Sequence, residues 1–263
     1  MKDYIVSDSP TLMRYSLRII LCLASCYGLT VYSCDVKQAY LQSDTPFQRD
    51  VFITVPDGYD EIGKDYVLKI EKPLYGLTES GSYWFNTYAK FFEEEMHMKS
   101  FLLDPCLMYR KDRGLLIGIT GIILDDTIEA GNLAFIKEED QKSETFLMNP
   151  KQISCFEFSG MRVEQRESTI SLEQQDYISG INRPSAIKPD GRVFQTIRRK
   201  LSWCVHSTRP DLAYYGAKLA QVKAEKVTVD DMKLLRRAVR VLRKRASADT
   251  CENRSQIQCF ADT

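Results

Sequence analysis

Residues 115–131 (LLIGITGIILDDTIEAG) decide the fold, because a long apolar run ends there in two adjacent aspartates. The run from Leu115 to Leu124 has the length and the β-branched content of a buried strand. Asp125 and Asp126 follow it directly. Burying adjacent carboxylates costs free energy unless a cation or hydrogen-bond donors compensate for it. An exposed turn, in which aspartate is common, also explains the pair, so both interpretations stay open at this point.

A second predicted strand also ends in an acid. Residues 30–36 (TVYSCDV) are rich in β-branched and aromatic side chains, and Asp35 lies near the end of this segment. Three aspartates at the ends of neighbouring strands would offer the hard oxygen ligands that Mg²⁺ prefers. Two such ions, on the order of 4 Å apart, can promote an in-line phosphoryl displacement. The spacing in the sequence does not show whether the two strands are adjacent.

The rest of the chain predicts a mixture of strands and helices. Apolar residues at helical spacing predict a helix over residues 10–28, opened by Pro10 and Thr11 and closed by Gly28. Further strands are predicted at residues 50–56, 66–71, 106–109, 153–164, 168–172 and 256–260. The charged segment 137–144 is expected to be exposed, and from about residue 195 onward the pattern is helical. Strands interrupted by helices and followed by a helical block indicate an α+β fold.

The overall composition limits the possible classes of protein. The chain has 263 residues, 44% of them hydrophobic, and its 36 basic and 36 acidic residues give a formal net charge of zero. A nucleic-acid-binding surface would therefore have to come from local segregation of charge. No CxxC motif occurs, and there are only two histidines, so a structural zinc site is not expected. The apolar stretch 19–26 is too short to span a bilayer and does not resemble a secretion signal, so we expect an intracellular protein without a membrane partner.

A series of motif-like segments runs along the chain. They are SCDVKQAYLQSD (33–44), KPLYGLTESGSYWF (72–85), DPCLMYR (104–110), ILDDTIEAG (123–131), FSGMRV (158–163), STRPDLAY (207–214) and CFADT (259–263). In this order they resemble the motifs of copia-type retrotransposon reverse transcriptases, over nearly the whole chain. The Asp-Asp-Thr variant (125–127) and the Asp-Tyr-Ile-Ser segment (176–179) look most like fungal members of that family.

The resemblance implies a metal-dependent polymerase. In the family, the aspartates of the first motif and of the Asp-Asp pair hold two divalent ions. Carried over by position, the catalytic and metal-binding residues would be Asp35, Asp125 and Asp126, with two Mg²⁺ ions, or Mn²⁺, as cofactors. The reaction would be the addition of deoxynucleotides to a primer on an RNA or DNA template, so the chain is expected to be an RNA-directed DNA polymerase.

The same resemblance implies residues that bind the nucleotide and the primer. The nucleotide-binding residues would be Val36, Tyr40, Tyr75 and Gly76. Tyr40 would be the aromatic side chain that selects against a ribose 2′-hydroxyl, although a plain core tyrosine explains it as well. The primer-binding residues would be Phe158, Gly160 and Met161. Asp262 matches the first carboxylate of a ribonuclease H domain.

The basic segment 233–245 (KLLRRAVRVLRKR) predicts an amphipathic helix. Its apolar face would consist of Leu234, Leu235, Ala238, Val239 and Leu242. On its polar face, the residues that could follow the phosphates of a template–primer duplex are Arg236, Arg240 and Arg243. A solvated helix face is the alternative explanation. The aromatic residues between positions 83 and 92 are expected to pack in a core rather than to stack on bases.

The resemblance also implies a domain organisation and partners. A right-hand polymerase palm, an antiparallel sheet backed by helices, would occupy residues 1–165, with partial fingers at about 41–75. Residues 166–250 would form a helical thumb or connection segment, and residues 251–263 the start of a truncated ribonuclease H-like domain. The expected partners are an RNA or DNA template with its primer, deoxynucleoside triphosphates, and the integrase and ribonuclease H of a Pol polyprotein.

Three other functions stay open. A catalytically inactive retroelement remnant would keep the fold and at most bind nucleic acid. A metal-dependent nuclease would cut nucleic acid without needing deoxynucleotides, and a host interaction protein would not need the carboxylates at all. The polymerase hypothesis makes one geometric demand, which is that Asp35 lies beside Asp125 and Asp126.

Overall fold

The computed structural model describes residues 9–45, 47, 49–59, 63, 65–167, 169–184, 188–246 and 255–257. The described chain forms two compact units, one that ends at Ile153 and one that starts at Ser154. This division precedes residue 165, where the sequence analysis placed a boundary, because the strands after Ser154 pair with one another and not with the large sheet before it. None of the helices described is long and apolar enough to cross a membrane.

The first unit is built on a six-stranded antiparallel sheet. Its helices are α1 (Arg14–Tyr27), α2 (Ser80–Lys90, continued by one π-helical turn at Phe91–Glu95) and α3 (Leu133–Lys142). Its strands are β1 (Thr30–Asp35), β2 (Val51–Thr54), β3 (Val67–Ile70), β4 (Lys99–Phe101), β5 (Asp104–Asp112), β6 (Leu115–Ile123), β7 (Asp126–Gly131) and β8 (Gln152–Ile153). The strand order is β4-β5-β6-β7-β1-β8, and β2 pairs with β3 in a separate hairpin. The predicted mixed fold with antiparallel sheets and helices is confirmed.

Helices cover both faces of the large sheet. Gly121 of β6 leaves room for the side chains of Leu12 and Ile20, and Ile20 belongs to α1. On the opposite face, Gly118 of β6 pairs with Gly131 of β7, and the ring of Phe135 from α3 lies against both glycines. Three glycines in two adjacent strands therefore let helices approach the sheet closely, as glycine in a strand often does.

Helix α1 starts later than the sequence predicted. It begins at Arg14 and not at Pro10, because its first turn is fixed by a distant residue. The carboxylate of Asp104, at the start of β5, accepts hydrogen bonds from the Met13 backbone N–H (2.9 Å) and from the Ser16 hydroxyl (2.5 Å). An acid at a helix N-terminus satisfies free N–H groups and interacts favourably with the helix dipole. The predicted end is confirmed, since Gly28 caps the helix with φ +62°.

The second unit contains four helices, which share one hydrophobic core, and a smaller sheet. Its helices are α4 (Gln175–Ser179), α5 (Gly191–Ser207), α6 (Ala213–Ala220) and α7 (Val229–Ala246). Its strands are β9 (Cys155–Phe158), β10 (Met161–Arg166), β11 (Thr169–Glu173) and β12 (Ser255–Ile257), in the order β12-β11-β10-β9. Four residues of the predicted apolar face of α7 are fully buried, namely Leu235, Ala238, Val239 and Leu242, and the fifth, Leu234, is half-buried against the same core. Asp262 lies outside the described residues.

The Thr-Arg-Pro-Asp segment of the second unit has a structural role there. The guanidinium of Arg209 is buried, forms an ion pair with Asp211 at 2.8 Å and donates a hydrogen bond to the carbonyl of Leu242 at 3.0 Å. Leu242 belongs to α7, whereas Arg209 precedes α6. The arginine therefore connects the two helical segments and satisfies a carbonyl near the end of α7.

Candidate active site

The pairing register places two of the three predicted catalytic aspartates opposite each other. In the antiparallel pair β1–β7, Asp35 is the direct partner of Asp126. Side chains that are directly opposite in an antiparallel pair lie on the same face of the sheet, with Cβ atoms about 4.5–5.5 Å apart. The polymerase hypothesis requires Asp35 to lie beside Asp126, and the main-chain pairing of β1 with β7 puts these two residues side by side.

Asp125 lies in the turn that joins β6 to β7. The sequence placed both acids after a strand that ends at Leu124, but β6 ends at Ile123 and Asp126 already belongs to β7. Leu124 has φ +55°, in the left-handed region that a tight turn requires. The carbonyl of Asp125 accepts a hydrogen bond from the Val36 backbone N–H at 3.0 Å. The turn is thereby attached to the end of β1, next to Asp35.

The three carboxylates interact electrostatically. Burial raises the pKa of Asp126 to about 6, and the charges of Asp125 and Asp35 add to this shift. Among the ion pairs of the described residues, none involves one of these three aspartates. Their mutual repulsion is therefore not relieved by a lysine or arginine of the described chain. Carboxylate oxygens are the ligands that hard divalent cations prefer, so the side-chain chemistry of these three aspartates fits the implied Mg²⁺ ions. Among the described residues, however, only Cys34, Glu129 and Glu139 have ligand atoms that all lie within 4.8 Å of one another, so the three aspartates are neighbours without being gathered around one point.

Trp84 supports the turn from α2. Its side chain is fully buried, and its indole N–H donates to the carbonyl of Leu124 at 2.9 Å. The expectation that the aromatic residues of this helix form a core is confirmed, because Trp84, Tyr88, Phe91 and Phe92 are all buried. The link between this core and the aspartate turn was missed, since the sequence does not indicate which polar group the indole reaches.

Asn149 supports Asp35 from the other side. Its side-chain amide donates to Oδ2 of Asp35, and its backbone N–H donates to the Asp35 carbonyl at 2.9 Å. The sequence analysis missed this residue, which lies 114 positions away along the chain. No signal in the sequence pairs it with Asp35, because residues 147–149 form no regular strand.

Two of the predicted nucleotide-binding side chains lie against each other near the aspartates. The rings of Tyr40 and Tyr75 stack with their centroids 4.4 Å apart. Burial and the charge of Asp125 raise the pKa of both hydroxyls. Tyr75 is 57% exposed and Tyr40 is half-buried, so the aromatic pair is partly open, and the role of Tyr40 stays a prediction.

The other two predicted nucleotide-binding residues contribute backbone. Val36 is buried and donates its N–H to the Asp125 carbonyl, so only its carbonyl is left to face a ligand. Gly76 has φ +102°, and a Cβ added there would meet no atom within 4 Å. Open space beside a glycine in this conformation permits the close approach of a ligand to the backbone.

The predicted primer-binding residues belong to the second unit. Phe158 and Met161 are buried and face each other across the β9–β10 hairpin. The two residues between them, Ser159 and Gly160, have φ +48° and +68°, which is the geometry of a two-residue type I′ turn. Only the turn is therefore accessible, and contact of these residues with a primer stays a prediction.

The three predicted phosphate-binding arginines differ in their surroundings. Arg240 and Arg243 of α7 are exposed, and Arg243 donates to the Ser179 carbonyl at 3.3 Å. Arg236 is half-buried, and its Nε is buried without a hydrogen-bond partner among the described residues. The exposure of Arg240 agrees equally well with a solvated helix face and with a phosphate-binding face. Phosphate binding by these arginines therefore stays a prediction.

A second acidic cluster lies inside the first unit. The Cys34 thiol and the carboxylates of Glu129 and Glu139 are buried, with ligand-type atoms within 4.8 Å of one another. Lys151 forms an ion pair with Glu139 at 2.8 Å and lies 4.8 Å from the centroid of the Tyr32 ring. The expectation that residues 137–144 are exposed is therefore wrong at Glu139. An ammonium group already supplies the cation of this cluster.

The chain matches a known family over most of its length. The profile of the family described as Reverse transcriptase (RNA-dependent DNA polymerase) matches residues 1–188. The chain belongs to this reverse transcriptase family. All three aspartates, both tyrosines of the stacked pair and the β9–β10 hairpin lie inside the matched region.

Relatives of this reverse transcriptase include long Pol polyproteins. It is 28% identical over 181 residues to the retrovirus-related Pol polyprotein from transposon TNT 1-94 of Nicotiana tabacum, covering 66% of this chain and 13% of the relative. It is 24% identical to the retrovirus-related Pol polyprotein from transposon RE2 of Arabidopsis thaliana, covering 91% of this chain and 18% of the relative. The chain thus spans less than a fifth of these relatives. The resemblance to copia-type reverse transcriptases is confirmed, and the fungal likeness of two segments stays a prediction.

The chain also aligns with a solved telomerase structure. The structure of telomerase from Candida albicans, in complex with a fragment of telomeric RNA, aligns with a TM-score of 0.42 at 10% identity. The alignment covers 92% of this chain and 46% of the telomerase chain.

Proposed function

We propose that this chain is the part of an RNA-directed DNA polymerase that carries its catalytic carboxylates, and that it extends a primer on an RNA or DNA template with deoxynucleoside triphosphates. The observation that carries the proposal is the direct pairing of Asp35 with Asp126, next to the turn that holds Asp125. Membership in the reverse transcriptase family supports it. Phosphoryl transfer by paired metal ions requires carboxylates that can share those ions, and the pairing puts two of the candidates side by side.

Asp35, Asp125 and Asp126 would hold two Mg²⁺ ions, or Mn²⁺ in their place. When bound, such ions would supply the positive charge that activates the primer 3′-hydroxyl and stabilises the leaving pyrophosphate. The protein supplies position and charge, which account for most of the rate of such reactions. The register of β1 and β7, the hydrogen bond from Trp84 to the Leu124 carbonyl and the one from Asn149 to Asp35 would help to keep these carboxylates in position.

The stacked pair of Tyr40 and Tyr75 would form one wall of the nucleotide site. The hydroxyl of Tyr40 lies 3.7 Å from the position of a Cβ built on Gly81, at the start of α2. Packing on both sides would keep the Tyr40 ring in place, so that a ribose 2′-hydroxyl meets it and a deoxyribose does not. The open backbone at Gly76 would let the triphosphate come close.

The remaining parts of the polymerase are assigned by family resemblance. The β2–β3 hairpin would belong to the partial fingers, residues 166–250 would be a thumb or connection segment, and Phe158, Gly160 and Met161 would contact the primer end. Arg236, Arg240 and Arg243 would face phosphates. The template–primer, the deoxynucleotides and the other proteins of a Pol polyprotein would be its intracellular partners.

Primer extension tests the proposal directly. The chain, with an RNA template, a DNA primer, deoxynucleotides and Mg²⁺, should lengthen the primer, and the Asp125→Asn, Asp126→Asn double variant should not. The variant should keep its circular dichroism spectrum and melting temperature, because the substitutions remove repulsion rather than packing. No extension by either protein would overturn the proposal in favour of an inactive remnant, and metal-dependent cutting without deoxynucleotides would favour a nuclease.

Binding of divalent ions should depend on pH through Asp126. Because the pKa of this carboxyl is raised to about 6, it keeps its proton to a higher pH than an ordinary aspartate. Metal binding must displace that proton, so the affinity for Mn²⁺ should fall as the pH drops below about 6, by up to roughly tenfold per pH unit. Mn²⁺ titrations followed by electron paramagnetic resonance at several pH values measure this. The Asp126→Asn variant should bind more weakly and lose this dependence, and a flat pH profile for the unchanged chain would contradict the expectation.

A further inference from the structure

Residues 147–149 run antiparallel to the end of β1 and fix it. Val36 forms an isolated β-bridge with Met148, and the Lys37 N–H donates to the Leu147 carbonyl at 2.9 Å. The Asn149 N–H in turn donates to the Asp35 carbonyl at 2.9 Å. Residues 35–37 are thus paired with residues 147–149. The sequence of the second segment does not predict a strand.

Gln42 secures the same segment from a second side. Its side-chain N–H donates to the carbonyls of Lys37 at 2.5 Å and Leu147 at 3.1 Å, and its Oε1 accepts from the Leu147 N–H at 2.8 Å. The amide of Gln42 therefore substitutes for a missing strand neighbour. Among the described residues, the hydrogen bonds of this amide all go to main-chain groups, which makes Gln42 a matched control for Asn149.

Asn149 is the member of this segment that reaches the carboxylate. Its Nδ2 donates to Oδ2 of Asp35, and the ionised carboxylate can only accept, so the amide orientation is determined by its partner. Pro150 follows Asn149, and a residue before proline is restricted to extended backbone. Three features thus hold the Asn149 side chain in place. They are the hydrogen bond of its own backbone N–H to Asp35, the restricted backbone before Pro150, and the hydrogen bonds of Gln42 to Leu147, two residues before Asn149.

We propose that Asn149 is a positioning residue that holds Oδ2 of Asp35 so that Oδ1 stays directed toward a cation shared with Asp125 and Asp126. This inference rests on the proposed function. Without the amide, the Asp35 side chain is free to rotate away from the other two carboxylates, because like charges repel each other and the side chain has no other donor on that oxygen among the described contacts. Hydrogen bonds from neighbours to metal-binding carboxylates commonly change metal affinity by about 10–100-fold.

The test is Mn²⁺ affinity, measured by electron paramagnetic resonance on the full chain without nucleic acid. The Asn149→Leu variant keeps the size of the side chain and loses the donor, and it should bind Mn²⁺ about tenfold more weakly. The Asn149→Gln variant keeps an amide donor and should recover part of the affinity. The Gln42→Leu variant loosens the same segment and should lower the melting temperature, while Mn²⁺ affinity changes by less than about twofold.

The outcomes separate this inference from the proposed function. If the unchanged chain binds no Mn²⁺, or binds it as well after Asp35→Asn, the proposed metal site itself fails. If the unchanged chain binds Mn²⁺ and Asn149→Leu binds it equally, the site stands and the role of Asn149 is overturned. If Asn149→Leu and Gln42→Leu weaken binding to the same extent, Asn149 only supports the local fold, which also overturns the inference.

Discussion

Replacing Lys151 with methionine should lower the free energy of unfolding by about 3–5 kcal/mol above pH 8, because it leaves buried negative charge without a cation. Lys151 forms ion pairs with Glu139 at 2.8 Å and Asp140 at 2.7 Å. Glu139 and its neighbour Glu129 are 1% and 0% exposed. Methionine has a similar length and fills the same space, so the expected loss comes from charge rather than from packing.

The surroundings of the two glutamates determine the pH dependence. Glu129 accepts hydrogen bonds from the hydroxyls of Thr120 and Thr127, at 2.9 and 2.6 Å. Glu139 accepts from the Tyr32 hydroxyl at 2.5 Å. Burial raises the pKa of Glu139 to about 8, and the charge of Glu129 adds to the shift, while Lys151 and the Tyr32 hydrogen bond oppose it. Burial and Glu129 thus favour the protonated form of Glu139, whereas Lys151 favours the ionised form.

The sign of the effect follows from where the proton is bound. The pKa of Glu139 is higher in the folded chain than in the unfolded chain, so the folded state binds the additional proton between about pH 4.5 and pH 8. Stability should therefore fall as the pH rises through this range, in both the unchanged chain and the Lys151→Met variant. The variant should lose most where Glu139 is charged, and less at about pH 6, where a protonated carboxyl needs no cation.

Urea unfolding at about pH 6 and pH 8.5 measures both effects. The Lys151→Met, Glu139→Gln double variant should recover most of the stability at the higher pH, because a neutral amide replaces the unpaired carboxylate. Lys142 provides the control, since its ion pair with Glu138 is about one-third exposed on both sides, and Lys142→Met should cost less than about 1 kcal/mol. A Lys151→Met variant as stable as the unchanged chain at both pH values would show that Glu139 carries no charge in the folded protein.

The sequence predicted those features of the site that depend on one continuous segment, namely the ends of the strands that carry the aspartates. An apolar run that ends in Asp125 and Asp126 predicts a strand followed by a turn. The structure ends this strand one residue earlier, at Ile123, and starts the next strand at Asp126. The end of β1 at Asp35 was predicted in the same way. Their pairing came from the family resemblance, because the spacing between two strands contains no information about which strands are neighbours.

The residues that were missed all act across long sequence separations. Asp104 caps α1 from 88 residues away, and Asn149 reaches Asp35 from 114 residues away. Glu139 belongs to a segment so rich in charge that exposure was the natural expectation, yet its partners Tyr32 and Lys151 lie on other elements. The spacing of apolar residues along the sequence predicts which positions of a helix or strand are buried. A polar residue can be buried only if it has hydrogen-bond or ion-pair partners, and the spacing does not identify those partners.

A methyl group at Gly118 should destabilise the first unit by about 2–3 kcal/mol, because the ring of Phe135 already fills that space. A Cβ built on Gly118 would lie 2.4 Å from a ring carbon of Phe135, and one built on Gly131 would lie 2.6 Å from another. Real Cβ atoms essentially never come so close to another heavy atom, so the ring must move. Phe135 is only 1% exposed and is enclosed between α3 and the sheet, so any movement disturbs the packing of both.

Urea unfolding of three variants separates this steric effect from the general effect of replacing glycine. Gly118→Ala should show the full loss, whereas Gly63→Ala, whose added Cβ would lie 3.6 Å from the Tyr66 ring in ordinary contact, should change stability by less than about 0.5 kcal/mol. In the Gly118→Ala, Phe135→Leu double variant the smaller side chain makes room for the methyl group. Its loss should therefore be smaller than the sum of the two single losses, as expected for residues in direct contact. If the losses instead add, the ring of Phe135 does not press on Gly118, and close packing of α3 against β6 and β7 cannot be the reason for the paired glycines.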